Sequence, residues 1–267
     1  MGMTTRRHAA VSGSFYPTSA VELSATVEVL VADSTTATWS QDFRPKAIIA
    51  PHAGYAYSGA VAASAYATVA TSRGRIRRVV VVGPAHYVPV RGVAVTRARA
   101  FTTPLGDLLI DHDTVGELLQ FPEVAYDDSA HAPEHSVEVH LPFLQVLLGD
   151  VHIVPLLLGD VDVATARRII EVAWGGDETL LVISSDLSHT SDPGEARARN
   201  DATTRAICDL DGDAIKDADA CGFTAVRALL EGARAHALGA KACDVRTSND
   251  VTDGQEEIVG YGAYVFA

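Results

Sequence analysis

Three apolar runs in this chain end in the same way, with a small or turn-forming residue and then an ionisable side chain. Ile48-Ile49-Ala50 runs into Pro51-His52, and Val79-Val80-Val81-Val82 runs into Gly83-Pro84-Ala85-His86. Leu180-Leu181-Val182-Ile183 runs into Ser184-Ser185-Asp186, with His189 three residues further on. Imidazole is the side chain that both ligates metals and moves protons near neutral pH. In an open α/β sheet the ligand crevice lies beyond the carboxyl ends of the strands. One histidine after one strand is an ordinary loop residue; the threefold repetition points to a shared rim carrying His52, His86, Asp186 and His189. A second cluster, Glu134-His135-Ser136-Val137-Glu138-Val139-His140, has its histidines one residue too far apart for the HExxH zinc pattern. On a helix His135 and Glu138 would share a face, with His140 off it. A plain polar first turn, with Glu138 near the positive helix end, accounts for that segment equally well. Cys221 precedes a helical stretch from Gly222 to Ala237, where unpaired N–H groups and the dipole would stabilise its thiolate. A thiolate with two neutral imidazoles suits a soft or borderline metal, and a buried inert thiol is the alternative. Cys208 and Cys243 have no such context.

Elements able to position these groups are read from periodicity. A helix spans Ser19 to Asp33, with Ser19 and Glu22 as a capping box and Val21, Leu23, Val27, Leu30 and Val31 as its buried face. Strands are expected at Lys46 to Ala50, Arg78 to Val82, Gly92 to Val95, Val151 to Leu158, Thr179 to Ile183 and Val259 to Phe266. Helices are expected at Ala60 to Val69, Val137 to Leu148, Asp162 to Trp174, Thr203 to Leu210 and Gly222 to Ala237. The stretch from Phe101 to Gly106 is turn-rich, and Cys243 lies in a turn-like region. Short β-branched runs alternating with amphipathic stretches define an α/β protein with a mostly parallel central sheet flanked by helices. No repeat or linker interrupts residues 1–267, so a single domain is expected.

The 267 residues carry 21 basic against 34 acidic side chains, a formal charge of −13. That field repels nucleic acid and anionic membranes, so neither is an expected partner. No apolar run approaches the roughly 18–20 residues that span a bilayer. The stretch from Met1 to His8 lacks the apolar core of a secretory leader. Three cysteines, an odd number without CxxC, argue against a disulfide framework and for a reducing, cytoplasmic setting. Neither GxxxxGK[ST], GxGxxG nor GxSxG occurs.

The order of motifs resembles a known family. It runs from Ser12-Gly13-Ser14-Phe15-Tyr16-Pro17 through Pro51-His52-Ala53-Gly54-Tyr55, Ser58-Gly59 and Gly83-Pro84-Ala85-His86 to Thr103-Pro104-Leu105-Gly106. It continues with His135-Ser136-Val137-Glu138-Val139-His140-Leu141-Pro142-Phe143, Ser184-Ser185-Asp186-Leu187-Ser188-His189 and Ala220-Cys221-Gly222. It closes with Thr247-Ser248-Asn249-Asp250-Val251-Thr252 and Val259-Gly260-Tyr261-Gly262-Ala263-Tyr264. Nearly the whole chain thus resembles the Memo family, also called AmmeMemoRadiSam system protein B. The resemblance implies a fold like that of class III extradiol dioxygenases, in which two His and one Glu hold Fe(II). It implies His52, His86 and Cys221 as metal ligands, His189 as acid/base with Asp186 beside it, and His140 as a further pocket residue. A thiol in place of the carboxylate weakens the case for ring cleavage, and Phe223-Thr224-Ala225 lacks a proline often found there.

Two functions follow as expectations. One is a metal-dependent redox enzyme for an unknown small molecule, with iron or copper ahead of zinc. The other is a non-catalytic binding or accessory protein of a modification system with radical-SAM and AMMECR1-like partners, as the family's name implies.

Overall fold

The computed structural model describes residues 6–34, 43–252 and 256–267. Residues 1–5 of the stretch from Met1 to His8 therefore lie outside the described residues. In chain order the elements are α1 (Ala20–Ala32), β1 (Ala47–Ala50), α2 (Tyr55–Ala67), β2 (Arg78–Pro84), β3 (Val93–Val95), β4 (Ala100–Thr103), β5 (Gly106–Leu109), α3 (His112–Leu118), β6 (Val124–Tyr126) and α4 (Asp128–His131). They continue with α5 (Leu141–Leu148), β7 (His152–Leu158), α6 (Val163–Val172), β8 (Thr179–Ser184), β9 (His189–Thr190), α7 (Pro193–Cys208), α8 (Phe223–Ala235), β10 (Ala240–Thr247) and β11 (Ile258–Phe266).

The main sheet runs β10-β11-β1-β8-β2-β7-β3-β6, with β9 paired to β11. Its centre, β1-β8-β2-β7, is parallel throughout. The flanks β11 and β3 join antiparallel to β1 and β7. The expected mostly parallel sheet is therefore present, with antiparallel margins. The apolar residues of β1, β2 and β8 are fully buried, as continuous rather than alternating apolar runs require. The group α1, α2 and α5 supplies one cover, through α2 on β1, β10 and β11; α8 on β2 and β8, backed by α6, supplies the other.

Several expected boundaries shift for identifiable reasons. The α2 helix starts at Tyr55 rather than Ala60, because the Tyr55 N–H donates to Phe15 O at 2.8 Å from a distant segment. The expected helix from Val137 splits into a 3₁₀ turn at Glu138–His140 and α5. Thr203 to Leu210 proves to be the end of the longer α7, capped by Asp192. The turn-rich 101–106 stretch is the corner of the β4–β5 hairpin. Cys243 lies within β10, at a register shift between Ala242 and Asp244. On α1 only Leu23 and Val27 are buried, and Val21 is 82% exposed. Ser19 caps Glu22 N–H as expected.

The segment before α1 is tied into the core by charge. Buried Arg7 donates to the Glu138 carboxylate, to His131 O at 3.0 Å and to Glu134 O at 2.6 Å. Glu138, fully buried, also accepts from Tyr16 Oη at 2.5 Å, Ala10 N at 2.8 Å and Val11 N at 3.1 Å. A buried ion pair survives only when its remaining lone pairs are filled in this way. Beneath it His131 bonds Ala94 O at 3.1 Å and sets its ring against Phe101.

Two outcomes follow from this polar core. Glu138→Gln leaves the Arg7 guanidinium buried without a counter-charge and lowers urea-unfolding stability by about 3–5 kcal/mol. Burial pushes the His131 pKa down to about 4, with the Ala94 hydrogen bond opposing and Arg7 assisting. Its folded value lies below its unfolded one, so between pH about 6.5 and 4 the unfolded chain binds the extra proton. Stability from this group is complete above pH 6.5 and declines with acidification across that window, by up to about 1.4 kcal/mol per pH unit. His131→Gln keeps a donor for Ala94 O and cannot titrate, so its stability curve is measurably flatter over the same window.

Candidate metal centre

The parallel strands deliver their C-terminal residues side by side. His52 follows β1, Asp186 follows the neighbouring β8, and His86 follows β2 on its far side. Asp186 Oδ1 accepts the His52 N–H at 2.8 Å, which couples the first two loops. His135 reaches the same rim from the irregular segment between α4 and the 3₁₀ turn. Ring centroids are 5.1 Å apart for His52–His86, 5.4 Å for His52–His135 and 4.8 Å for His86–His135. One nitrogen of each imidazole lies within 4.8 Å of the other two. Ligand nitrogens around a tetrahedral ion at about 2.0–2.1 Å sit roughly 3.3 Å apart, so small ring movements complete the set.

Two hydrogen-bonded groups lie behind these rings. His52 Nδ1 is 2.6 Å from Ser184 Oγ, whose hydroxyl donates to Ser136 O at 2.5 Å. His86 Nδ1 is 2.9 Å from Glu134 Oε1, and Glu134 also accepts the N–H groups of His86, His135 and Ser136. Gly83 allows this approach, since a Cβ there would stand 2.6 Å from Ser136 Oγ.

The electrostatics favour neutral rings at His52 and His135. Burial holds His52 well below its usual value, assisted by His86 and His135. Burial likewise lowers His135, against the opposing charge of Glu134. Burial by itself would raise Glu134, but hydrogen bonds from the His86 ring and from backbone N–H groups carry it down to about 2. Asp186 is raised by burial, with the His52 N–H and the charge of His189 opposing. A carboxylate and neutral imidazoles are the protonation states that accept a cation.

The residues singled out from sequence occupy distinct places. His52 and His86 belong to the compact histidine group. Cys221 Sγ adjoins it, 3.4 Å from His52 Nε2, and accepts the Asp186 N–H at 3.2 Å. The third member of the group is His135, for which the sequence left a polar first turn and a functional role equally open. His189 lies on β9, with its side chain 44% exposed and Nδ1 3.4 Å from Glu257 Oε1. His140 is buried behind the cluster, 6.0 Å from the Tyr66 ring, and its Nε2 has no hydrogen-bond partner. Burial, then the charges of His52 and His135, push it down to about 3. Phe15 and half-exposed Tyr87 flank His135 at 4.9 and 5.6 Å. A cavity of about 220 Å³ is lined by Pro84, Leu158, Cys221 and Phe223. A larger one of about 520 Å³, lined by Arg77 and His152, lies at the opposite ends of the strands.

The expected low thiol pKa of Cys221 is overturned. The helix begins at Phe223 with Gly222 as its cap, leaving Cys221 outside the first turn. Burial, then the charge of Asp186, push the thiol up to about 12 despite hydrogen bonds from Asp186 N, Ser185 and Gly222. Gly222 is required for this packing, because a Cβ would lie 2.7 Å from Ser184 O.

A mixed sheet flanked by helices that gathers three imidazoles beyond its central strands defines a candidate metal-binding protein. The sequence model of the Memo-like protein family matches residues 7–265. MEMO1 family proteins of Methanococcoides burtonii and Archaeoglobus fulgidus are 35% and 33% identical, each aligned over 97% of this chain and 99% of the relative. One from Thermoplasma volcanium is 30% identical over 97% of both chains. The chain belongs to the Memo family. A solved Escherichia coli K12 structure, titled as an uncharacterized protein, is 14% identical with a TM-score of 0.48 over 82% of this chain and 98% of its own, too loose to bear on the fold. Among the described residues no helix is long and apolar enough to cross a membrane.

With its thiol pKa near 12, Cys221 of metal-free protein is labelled slowly by iodoacetamide at pH 7 and no faster than Cys208. Peptide mapping by mass spectrometry measures the order, and preferential labelling of Cys221 would contradict the burial argument.

Proposed function

We propose that the protein is a metal-dependent oxidoreductase acting on a small molecule, with His52 and His86 as its metal ligands. The observation that carries this reading is the convergence of His52, His86 and His135 nitrogens within 4.8 Å of one another. Cys221, beside His52, completes the ligand set that the family resemblance implies, and His135 lines the site from the other side. Imidazole with thiolate suits copper, iron and zinc alike; the redox reading takes iron or copper because zinc exchanges no electrons, and burial raises the cost of ionising that thiol. When bound, such an ion supplies electron exchange and open positions for oxygen or substrate.

The chain's own groups then divide the remaining work. Asp186 fixes the His52 loop through its backbone N–H, and His189 stands at the mouth as the proton carrier. Phe15 and Tyr87 provide apolar surface on which a substrate can rest. The relation to class III extradiol dioxygenases and a cytoplasmic location belong to the same proposal. A second reading, a non-catalytic accessory protein with radical-SAM and AMMECR1-like partners, draws support from His189, which is exposed against Glu257 rather than held in the cluster.

Anaerobic titration of metal-free protein with Fe(II), Cu(I) and Zn(II), read by calorimetry, tests the metal. One ion binds per chain, and His52→Ala or His86→Ala weakens binding at least tenfold. Cys221→Ser and His135→Ala, compared for the same loss, assign the third ligand. Unchanged binding in a His52→Ala/His86→Ala double variant sinks the proposal, and oxygen uptake by the loaded protein separates the enzyme from the accessory reading.

A further inference from the structure

Two hydrogen bonds behind the cluster decide which nitrogen of each imidazole faces it. Ser184 ends β8 and is fully buried. A hydroxyl has one proton, and that of Ser184 goes to the Ser136 carbonyl at 2.5 Å, an oxygen that can only accept. With its proton so used, Ser184 Oγ must accept at its 2.6 Å contact with His52 Nδ1. Nδ1 therefore carries the imidazole hydrogen, and the lone pair sits on Nε2. That is the atom 3.4 Å from Cys221 Sγ, on the cluster side of the ring.

The acceptor carbonyl is itself held. Ser136 N–H donates to Glu134 Oε1 at 2.9 Å and Ser136 Oγ to Pro84 O at 2.8 Å, so the relay ends on a fixed point of β2. His86 is set in the same sense by a different group. Three backbone N–H groups converge on Glu134, an arrangement for a carboxylate that can only accept, so His86 Nδ1 bears its hydrogen and leaves Nε2 open. Free imidazole side chains in water favour hydrogen on Nε2, so these two contacts reverse the intrinsic preference in the same direction.

We propose that Ser184 is a positioning residue, whose hydroxyl relay to the Ser136 carbonyl holds His52 as the Nδ1–H tautomer and presents Nε2 to a first-row transition-metal ion. The assignment rests on the reading of His52 and His86 as ligands. Partners of this kind behind a ligating histidine affect metal affinity by about 10–100-fold.

The test uses full-length metal-free protein with 15N-labelled histidine and long-range 1H–15N spectra, which distinguish the two tautomers. His52 is assigned by its loss in His52→Ala. Wild-type His52 and His86 both give the Nδ1–H pattern. In Ser184→Ala, His52 moves to Nε2–H or a mixture, His86 stays unchanged as a control on the fold, and Zn(II) affinity falls 10–100-fold. Ser184→Thr, which keeps the hydroxyl, restores the His52 pattern. An Nε2–H His52 in the wild type, or an unchanged His52 in Ser184→Ala, overturns the proposal. If Ser184→Ala does not fold, the wild-type spectrum decides. If the tautomers respond as described while wild-type protein binds no Zn(II), Fe(II) or Cu(I), positioning stands and the metal reading fails.

Discussion

A carboxylate removed from water must have its lone pairs filled, and at Glu134 that requirement organises the site. Its side chain is almost wholly buried, and its donors come from both sides of the cleft: the His86 ring and N–H after β2, and the N–H groups of His135 and Ser136. Satisfying one carboxylate therefore fixes two of the clustered histidines and, through Ser136 and Ser184, the ring of the third. Four residues later Glu138 repeats the device with Arg7, Tyr16 and two N–H groups from the segment before α1. The segment that carries His135 is irregular because both ends serve buried charges, and a regular helix could not direct Glu134 and Glu138 to such different partners.

Cys221 shows which of two opposed effects prevails. A helix N-terminus stabilises a nearby anion by about 0.3–1 kcal/mol, and the benefit fades beyond the first turn. Cys221 stands one residue ahead of the cap, where the dipole is weakening and both burial and the charge of Asp186 oppose ionisation. The thiol is therefore a group that only a cation in the cleft would draw into its charged form, and metal affinity should be coupled to release of its proton.

Much of the rim was legible in the sequence, because parallel interior strands write themselves as uninterrupted apolar runs and stop where the chain meets the cleft. His52, His86 and Asp186 could be placed on that basis alone. His135 could not, since its position depends on where Glu134 and Glu138 find donors, a fact of tertiary structure that no helical spacing encodes. The early start of α2 was hidden for the same reason, its first N–H being satisfied by Phe15 O. Strand β10 escaped notice because Ala240–Thr247 lies at the sheet margin and shows neither an apolar run nor a clean alternation. The cluster from Glu134 to His140 was the available signal for the third histidine, but a polar helix turn explained it equally well, and the family resemblance pointed to His140 instead.

The placement of β1 has a consequence for how this protein is made. The strand that leads to His52 lies between β8 and β11, with Ile49 opposite Ile183 on one side and Tyr264 on the other. Both neighbours are encoded more than a hundred residues downstream, and ribosomes add roughly 5–20 residues per second. For many seconds of synthesis the nascent chain holds an apolar strand and a metal-seeking imidazole with no sheet to receive them. Chaperone capture or premature scavenging of an ion at His52 would fall within that interval. Cleft assembly is therefore a late event in translation, bounded by the arrival of the residues that become β11.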